Sequence, residues 1–372
     1  MEIVDVLKFF GVSGVQSYKL FGSGNINTTY LVTAKDKRYL LQKMNRTAIP
    51  DIYGALNNIK IVTSHLSRKG ERTLELVKTV NGEHSFEDSD GYVWRMYPFI
   101  ENSISYDLTN DPKKIKEIAF AFGKFDSGLR DLDPSKLVVS DPLFHNTRDK
   151  YELLESAIQE DSVGRVKSAE KTITYCRSLI SKALSMGIDL FAVVKAKEKG
   201  ELPIRVVHND TKLNNCLLSK TTGKYLAVID LDTCMPSTIL NDYGDGVRAN
   251  TNATIEEEKD LKKVKIDLKK FEAFTTGFLD GFGAVNLTET EKKLLLTSCI
   301  AITFELGTRF LRDYLEGDRF FRIRSDDSKF NLQRANVQFK LMDDMLNHQS
   351  EMDKIIRNSL QVCDYSTNSS LI

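Results

Sequence analysis

The residues best suited to chemistry lie in one stretch, Ile204 to Thr233, which reads IRVVHNDTKLNNCLLSKTTGKYLAVIDLDT. A short apolar run, 204–207, leads into a polar loop from His208 to Asn215. A second run, 225–229, leads into Asp230-Leu231-Asp232. The loops hold His-x-Asp with an Asn five residues beyond the Asp, then Asp-x-Asp. Phosphoryl transfer calls for this set. One carboxylate orients or deprotonates an acceptor hydroxyl, while an amide and a second carboxylate hold magnesium against nucleotide phosphates. Asp, Asn and Thr also fill ordinary loops, because their side chains bond locally to backbone. That does not account for an apolar run, Leu226 to Ile229, breaking into two acids around one Leu. Carboxylates so placed need a cation or a buried partner.

The elements that must carry these loops can be read outward from them. Two β-rich runs joined by the Thr222-Gly223 turn predict a hairpin, 204–207 with 225–229, whose far ends bring both polar loops together. Upstream, runs at 18–21, 29–33 and 38–44 read as strands, the first two flanking the loop Gly22-Ser23-Gly24-Asn25-Ile26-Asn27. Glycines there let backbone amides approach a phosphate, although two glycines between strands also make a plain turn. Apolar residues at Ile52, Ala55, Leu56, Ile59, Val62 and Leu66 have helical spacing. Asn81-Gly82 and Asp90-Gly91 mark two more hairpins, and the last strand, 92–97, stops at Pro98. From there the period becomes 3.6. Asp111 caps and Pro112 opens a helix to Leu129, with further helices predicted at 149–160, 168–186, 256–280, 288–316 and 329–346. Thr288 and Glu291 form a capping box. This is an α+β pattern with a boundary near residue 100. A small antiparallel-sheet lobe spans 1–100, a larger helical lobe 101–364, and a Ser/Thr/Asn-rich tail 365–372.

Composition fits that division and narrows the function. At 372 residues the chain exceeds the size, about 250–300 residues, at which single cores stop growing. Lys plus Arg equals Asp plus Glu at 52 each, so no global field draws it to nucleic acid or an acidic membrane. Five scattered cysteines suit a reducing compartment and neither a disulfide framework nor a zinc site. The N-terminus lacks the basic region of a secretory signal. The nearly unbroken apolar run 294–304 is too short to span a bilayer. The expectation is a soluble, cytoplasmic protein.

Small sheet lobe, short link and helical lobe bearing the catalytic loops resemble the bilobal plan of protein kinases. HNDTKLNN with IDLD is similar to the aminoglycoside phosphotransferase-like kinases, over about residues 20 to 345. Within that family the SGNIN loop and the segment RFLRDYLEGDRFF, 309–321, are similar to N-acetylhexosamine 1-kinases. The resemblance implies an ATP- and magnesium-dependent kinase that phosphorylates the anomeric hydroxyl of N-acetylglucosamine or N-acetylgalactosamine. It makes Asp210 the catalytic base and gives magnesium to Asn215 and Asp230, with Asp232 at the same site. Lys212 matches a lysine facing the transferred phosphate, and also reads as a solvated loop lysine. ATP would lie against Ser23, Gly24 and Asn25, and against Phe99 and Ile100 where the lobes meet. Asn27, Asp210, Thr211 and Arg309 are implied at the sugar. Phe320 stands where these kinases carry a tyrosine, keeping the ring and losing the hydroxyl.

Two departures matter. Where kinases keep a strand lysine for the nucleotide phosphates this chain has Gln42, followed by Lys43. The helix that supplies its glutamate partner reads Asn57-Asn58-Ile59-Lys60. Losing both members together is coherent, since either alone in a closed cleft would be an unpaired charge. Either Lys43 substitutes or the 23–27 loop does the anchoring. Arg309 lies four residues from both Glu305 and Asp313, spacing that suits a surface ion pair. Its helix is otherwise apolar from Leu294 to Leu311, which favours a place in the cleft. Two other functions share these residues. One is a kinase for another hydroxylated metabolite, such as an amino alcohol, another hexose or an aminoglycoside. The other is a nucleotide-binding regulatory module without turnover.

Overall fold

The structure is a computed structural model that describes residues 1–22, 26–35, 37–46, 49, 51–321, 323 and 327–369, with side chains as far as 362. The first lobe is an antiparallel sheet of β1 (Val15–Leu20), β2 (Thr28–Ala34), β3 (Lys37–Lys43), β4 (Phe86–Glu87) and β5 (Val93–Pro98), in the order β1-β2-β3-β5-β4. Side chains alternate across a strand, so the sheet has two distinct faces. Val32, Leu41, Trp94 and Met96 pack on one face against Val6, Leu7 and Phe10 of the N-terminal segment. That segment carries helix α1 (Ile3–Phe9), which periodicity had not marked out. Leu40 and Tyr97 turn the other way and join Ile100, Leu217, Leu226, Ala227 and Ile229 in an apolar seam between the lobes. Helix α2 (Ile52–Arg68), capped by Asp51, sends Ile59, Val62 and Leu66 into the core of the second lobe. Of the two predicted turns, Asp90-Gly91 joins paired strands, while Asn81-Gly82 is a turn without them.

The second lobe contains β6 (Ser103–Ile104), α3 (Pro112–Gly128), α4 (Thr147–Glu160), α5 (Val166–Ser185), α6 (Ala192–Glu198) and β7 (Arg205–Val207). There follow β8 (Cys216–Ser219), β9 (Tyr225–Val228), β10 (Met235–Ser237), α7 (Ile239–Thr251), α8 (Leu268–Phe282), α9 (Glu289–Leu315), α10 (Phe330–Asn347) and α11 (Gln349–Ser369). Helix α9 is long and apolar enough to cross a bilayer by length and composition, but 78% of its apolar window is buried in the protein core. Its capping box forms as expected.

The central hairpin differs from the expected one. Residues 225–228 pair with Cys216–Ser219, which directly follows the first polar loop, and Arg205–Val207 pairs instead with Met235–Ser237. Cys216-Leu217-Leu218 was the overlooked strand, hidden because it begins where the polar loop ends. The two polar loops still meet, through Ile229 N donating to Asn215 O at 2.8 Å. The helix expected over 256–280 begins only at Leu268, and α6, α7 and α11, like α1, lie where no helix was predicted. Glycines lower helix propensity, which masked α7. Gly246 is required by packing, since a Cβ there would lie 2.1 Å from the Phe274 ring.

Candidate active site

The loop from His208 to Asn215 is built around α7, whose cap Thr238 starts it beneath the loop. Asp242, fully buried in its first turn, accepts His208 N at 2.7 Å and Asn209 N at 2.6 Å. Asp245 accepts Thr211 N at 3.0 Å, and Asn250 donates to Thr211 O at 2.9 Å. Consecutive backbone groups of the loop are thus held by one helix. The His208 ring closes the other side. Its Nδ1 accepts Asp210 N at 3.2 Å, which leaves Nε2–H to donate to Ile229 O at 2.9 Å. With both nitrogens spent on backbone and the ring edge-on to Phe122 and Phe125, His208 is a brace. Asn209 sits at φ 63 and Asp230 at φ 61, in the left-handed region that side chains adopt only under constraint.

These constraints bring Asp210, Lys212, Asn215 and Asp230 together. Asn215 Nδ2 donates to Asp210 Oδ2 at 2.9 Å, and Lys212 Nζ lies 2.9 Å from the same oxygen. Burial lowers the Lys212 ammonium, but the Asp210 and Asp230 carboxylates outweigh it and hold it above the usual lysine range. Asp230 is open to the cleft yet crowded by protein atoms. Desolvation, then the charges of Asp232 and Asp210, push its carboxyl up to about 6. Among the described residues no side chain donates to it. A carboxylate without a donor, beside others of like charge, is suited to a divalent cation. Among the described residues no three carboxylate, imidazole or thiolate groups converge on one point. Magnesium fits such a sparse set, because it usually takes one or two protein carboxylates and completes its shell with water and phosphate oxygens. Asp230 and the Asn215 Oδ1 would hold it.

Asp232, expected as a further magnesium ligand, has its carboxylate engaged elsewhere. Both oxygens meet the Arg95 guanidinium, Nη2 to Oδ2 at 2.9 Å, and Asn27 Nδ2 donates to Oδ2 at 2.7 Å. Asn27, expected at the sugar, therefore ties the β1–β2 connection to the second lobe; its Oδ1 also accepts Asn45 N at 3.1 Å. Gln42 faces the cleft as expected, bonded to Thr29 Oγ1 at 3.0 Å and to Arg95 Nε at 2.8 Å. Lys43 does not. It points to the opposite face, where its Nζ lies 3.0 Å from the centre of the Tyr92 ring. Strand alternation forbids both neighbours from facing the cleft. On α2, Asn58, in the stretch that lacks the acid, donates to Val138 O at 2.7 Å and Cys234 O at 3.0 Å and accepts Val138 N at 2.9 Å. At the lobe junction Ile100 is buried in the apolar seam, and the Phe99 ring lies against the Arg38 guanidinium, 4.2 Å away. Ser23, Gly24 and Asn25 lie outside the described residues.

Helix α9 carries another residue expected at the sugar, and His145 connects this helix to the catalytic loop. Arg309 makes no ion pair with either neighbour on its helix. Glu305 is taken by His145, at 3.3 Å, and by Thr147 Oγ1, at 2.9 Å. Asp313 is taken by the backbone of Arg319, Phe320 and Phe321. The Arg309 guanidinium is 5.5, 5.8 and 5.4 Å from the ring centres of Phe144, Phe320 and Phe321. His145 links this end to the catalytic loop through Nε2 and Asn209 O, 3.0 Å apart. Thr211, expected at the sugar, is fully buried, and its hydroxyl donates to Asp242 O at 2.7 Å. Sequence reasoning missed Arg95, His145, Asp242 and Asp245. The last two were findable as acids spaced i, i+3 behind a Thr cap.

A sheet lobe over a helical lobe, with this carboxylate and amide group at the seam, has the kinase-like plan. Residues 17–264 match the phosphotransferase enzyme family, and the chain belongs to it. It is a phosphotransferase with a hydroxyl acceptor, a small-molecule kinase of that family. Solved structures share the fold at low identity. A spectinomycin phosphotransferase, APH(9)-Ia, in complex with ADP and spectinomycin is 11% identical over 93% of this chain and 96% of its own, with a TM-score of 0.57. The amicoumacin kinase hAmiN, in complex with AMP-PNP and Ca2+, is 14% identical over 92% and 94%, with a TM-score of 0.58. A microcompartment-associated aminopropanol kinase is 15% identical over 94% and 97%, with a TM-score of 0.53.

Proposed function

We propose that the chain transfers the γ-phosphoryl group of ATP, with magnesium, to the anomeric hydroxyl of an N-acetylhexosamine, giving the sugar 1-phosphate. Asp210 takes the acceptor proton, and Asn215 and Asp230 hold the metal against the phosphates. Lys212 offsets charge that develops in the transition state.

The observation that carries the choice of acceptor is the charge at the far end of the cleft. Structural neighbours are kinases for spectinomycin, amicoumacin and aminopropanol, which bear amines. A cationic acceptor needs an open carboxylate or a bare aromatic cage. Here Asp318 is bound by Arg165 and Asn331, Asp245 by Arg248, and Glu305 and Asp313 as described. The rings already face a cation, Arg309. Half-buried Lys150, whose ammonium burial and then Arg309 hold below the usual range, lies nearby and takes up the Asp141 carboxylate at 3.8 Å. An uncharged polyol with an N-acetyl group suits a guanidinium ringed by phenylalanines. Its hydroxyls accept from Arg309 and its methyl packs on the rings.

The test is a panel of N-acetylhexosamines, hexoses, amino alcohols and aminoglycosides with ATP and magnesium, reading ADP release. N-acetylglucosamine or N-acetylgalactosamine should turn over fastest, and their methyl glycosides, blocked at the anomeric oxygen, should be inert. Phosphate transfer to a methyl glycoside, seen by phosphorus NMR, would move the reaction to another hydroxyl.

A further inference from the structure

Gln42 leaves the phosphates of a nucleotide without the strand lysine that usually meets them, and Lys43 lies on the wrong face of the sheet. The replacement comes from the neighbouring strand. Arg95 on β5 is the direct cross-strand partner of Gln42 on β3. Directly opposed residues share a face, so Arg95 projects into the cleft from the place beside the missing lysine. Gln42 Oε1 accepts its Nε at 2.8 Å, which fixes the guanidinium plane and leaves Nη1 and Nη2 aimed at the second lobe. Both reach Asp232, two residues beyond Asp230.

We propose that Arg95 is the phosphate-anchoring cation of this kinase, and that Asp232 holds it in readiness when no nucleotide is bound. This assignment rests on the ATP-dependent reading of the site. Arg95 is only 1% exposed, and a guanidinium so buried needs an anion at all times. A carboxylate and a phosphate present the same paired-oxygen edge to the two-donor face of arginine. Asp232 thus occupies the position that phosphate oxygens would take, next to the candidate metal carboxylate. A nucleotide carrying several negative charges can displace one carboxylate. The loss of the strand lysine and of its helical glutamate then leaves no uncompensated charge. Arg95 replaces the first, and the helical stretch that lacks the second holds the neutral Asn58, hydrogen-bonded to Val138 and Cys234.

A second role for the pair is open: a clasp between the lobes with no part in nucleotide binding. Calorimetry of ATP, ADP and adenosine on the full chain, with and without magnesium, separates the two. Arg95→Gln keeps a polar contact to Gln42 and should weaken ATP and ADP about 10-fold or more, the scale of a lost charge-assisted hydrogen bond, with adenosine unchanged. Asp232→Asn removes the competitor, so ATP measured without magnesium should bind more tightly than to the parent chain, with adenosine unchanged. ATP and adenosine weakened equally by Arg95→Gln, or ATP unchanged in a folded Arg95→Gln chain, would overturn the assignment. If Arg95→Gln does not fold, Asp232→Asn decides, because a clasp without a part in nucleotide binding leaves ATP unchanged or weakens ATP and adenosine alike, and either result would overturn the assignment. A parent chain that binds neither ATP nor ADP overturns the reading of the site and this assignment with it. Binding by the parent with no effect of Arg95→Gln overturns the assignment alone.

Discussion

At the scale of single residues, chemistry was legible wherever spacing along the chain reflects proximity in space. Asp210 and Asn215 lie five apart in one loop, and the structure bonds them directly. Asp210→Asn should leave ATP affinity near that of the parent chain and lower turnover at least ~100-fold, the usual scale for a general base. Turnover within a few-fold of the parent would remove Asp210 from that role. Arg95 was illegible, because its partners Gln42 and Asp232 lie 53 and 137 residues away. Only the strand register brings them together. Arg309 was expected either in a surface ion pair or in the cleft; the ion pair with Glu305 is not made, and that depends on His145 and Thr147, far off in sequence. Arg309→Ala should raise the Michaelis constant of the sugar at least ~10-fold, about 1.4 kcal/mol, and barely move that of ATP. A change in both would mean that Arg309 supports the fold.

At the scale of elements, strong periodicity gave helices such as 112–128 almost to the residue. The helix that organises the site was missed. In α7, two glycines and several polar residues argue against a helix locally, yet tertiary packing overrides propensity. Its Asp242 meets Asp126 of α3, and that pair sets a pH dependence. Burial, then the charge of Asp242, raises the Asp126 carboxyl well above its ordinary 3.8, which favours its protonated form. Its two oxygens otherwise lack partners, and the retained proton lets it donate to Asp242. The unfolded chain releases that proton above about pH 4, so the native state binds more protons and stability falls as pH rises. Asp126→Asn cannot ionise and can still donate to Asp242. It should therefore raise the melting temperature at about pH 8 by more than at about pH 5. An equal shift at both values would show that Asp126 does not hold the proton.

At the scale of the whole molecule, the two lobes were foreseen from the change of period near residue 100. What joins them was not. Besides the apolar seam, polar ties join the lobes, among them Arg95 and Asn27 to Asp232, and Asn58 to Cys234 O and Val138. Such ties depend on the docked arrangement of lobes and leave no periodic trace. Asn58→Ala, which also frees Val138, should cost about 1–3 kcal/mol through unpaired polar groups. A lower urea midpoint at unchanged slope would report that loss, since the slope follows the surface exposed on unfolding. An unchanged midpoint would show that the Asn58 hydrogen bonds add nothing to stability.

The Asp313 carboxylate gathers three successive backbone amides, 319 to 321, and the amide of Asn331. The course of that segment is therefore set by an acid inside α9, independently of the side chains the segment displays. Phe320, 48% exposed, is a replaceable tile on a fixed frame. The frame gives the chain evolutionary latitude, because a substitution at Phe320 changes the side chain on display while the backbone that carries it stays pinned to Asp313.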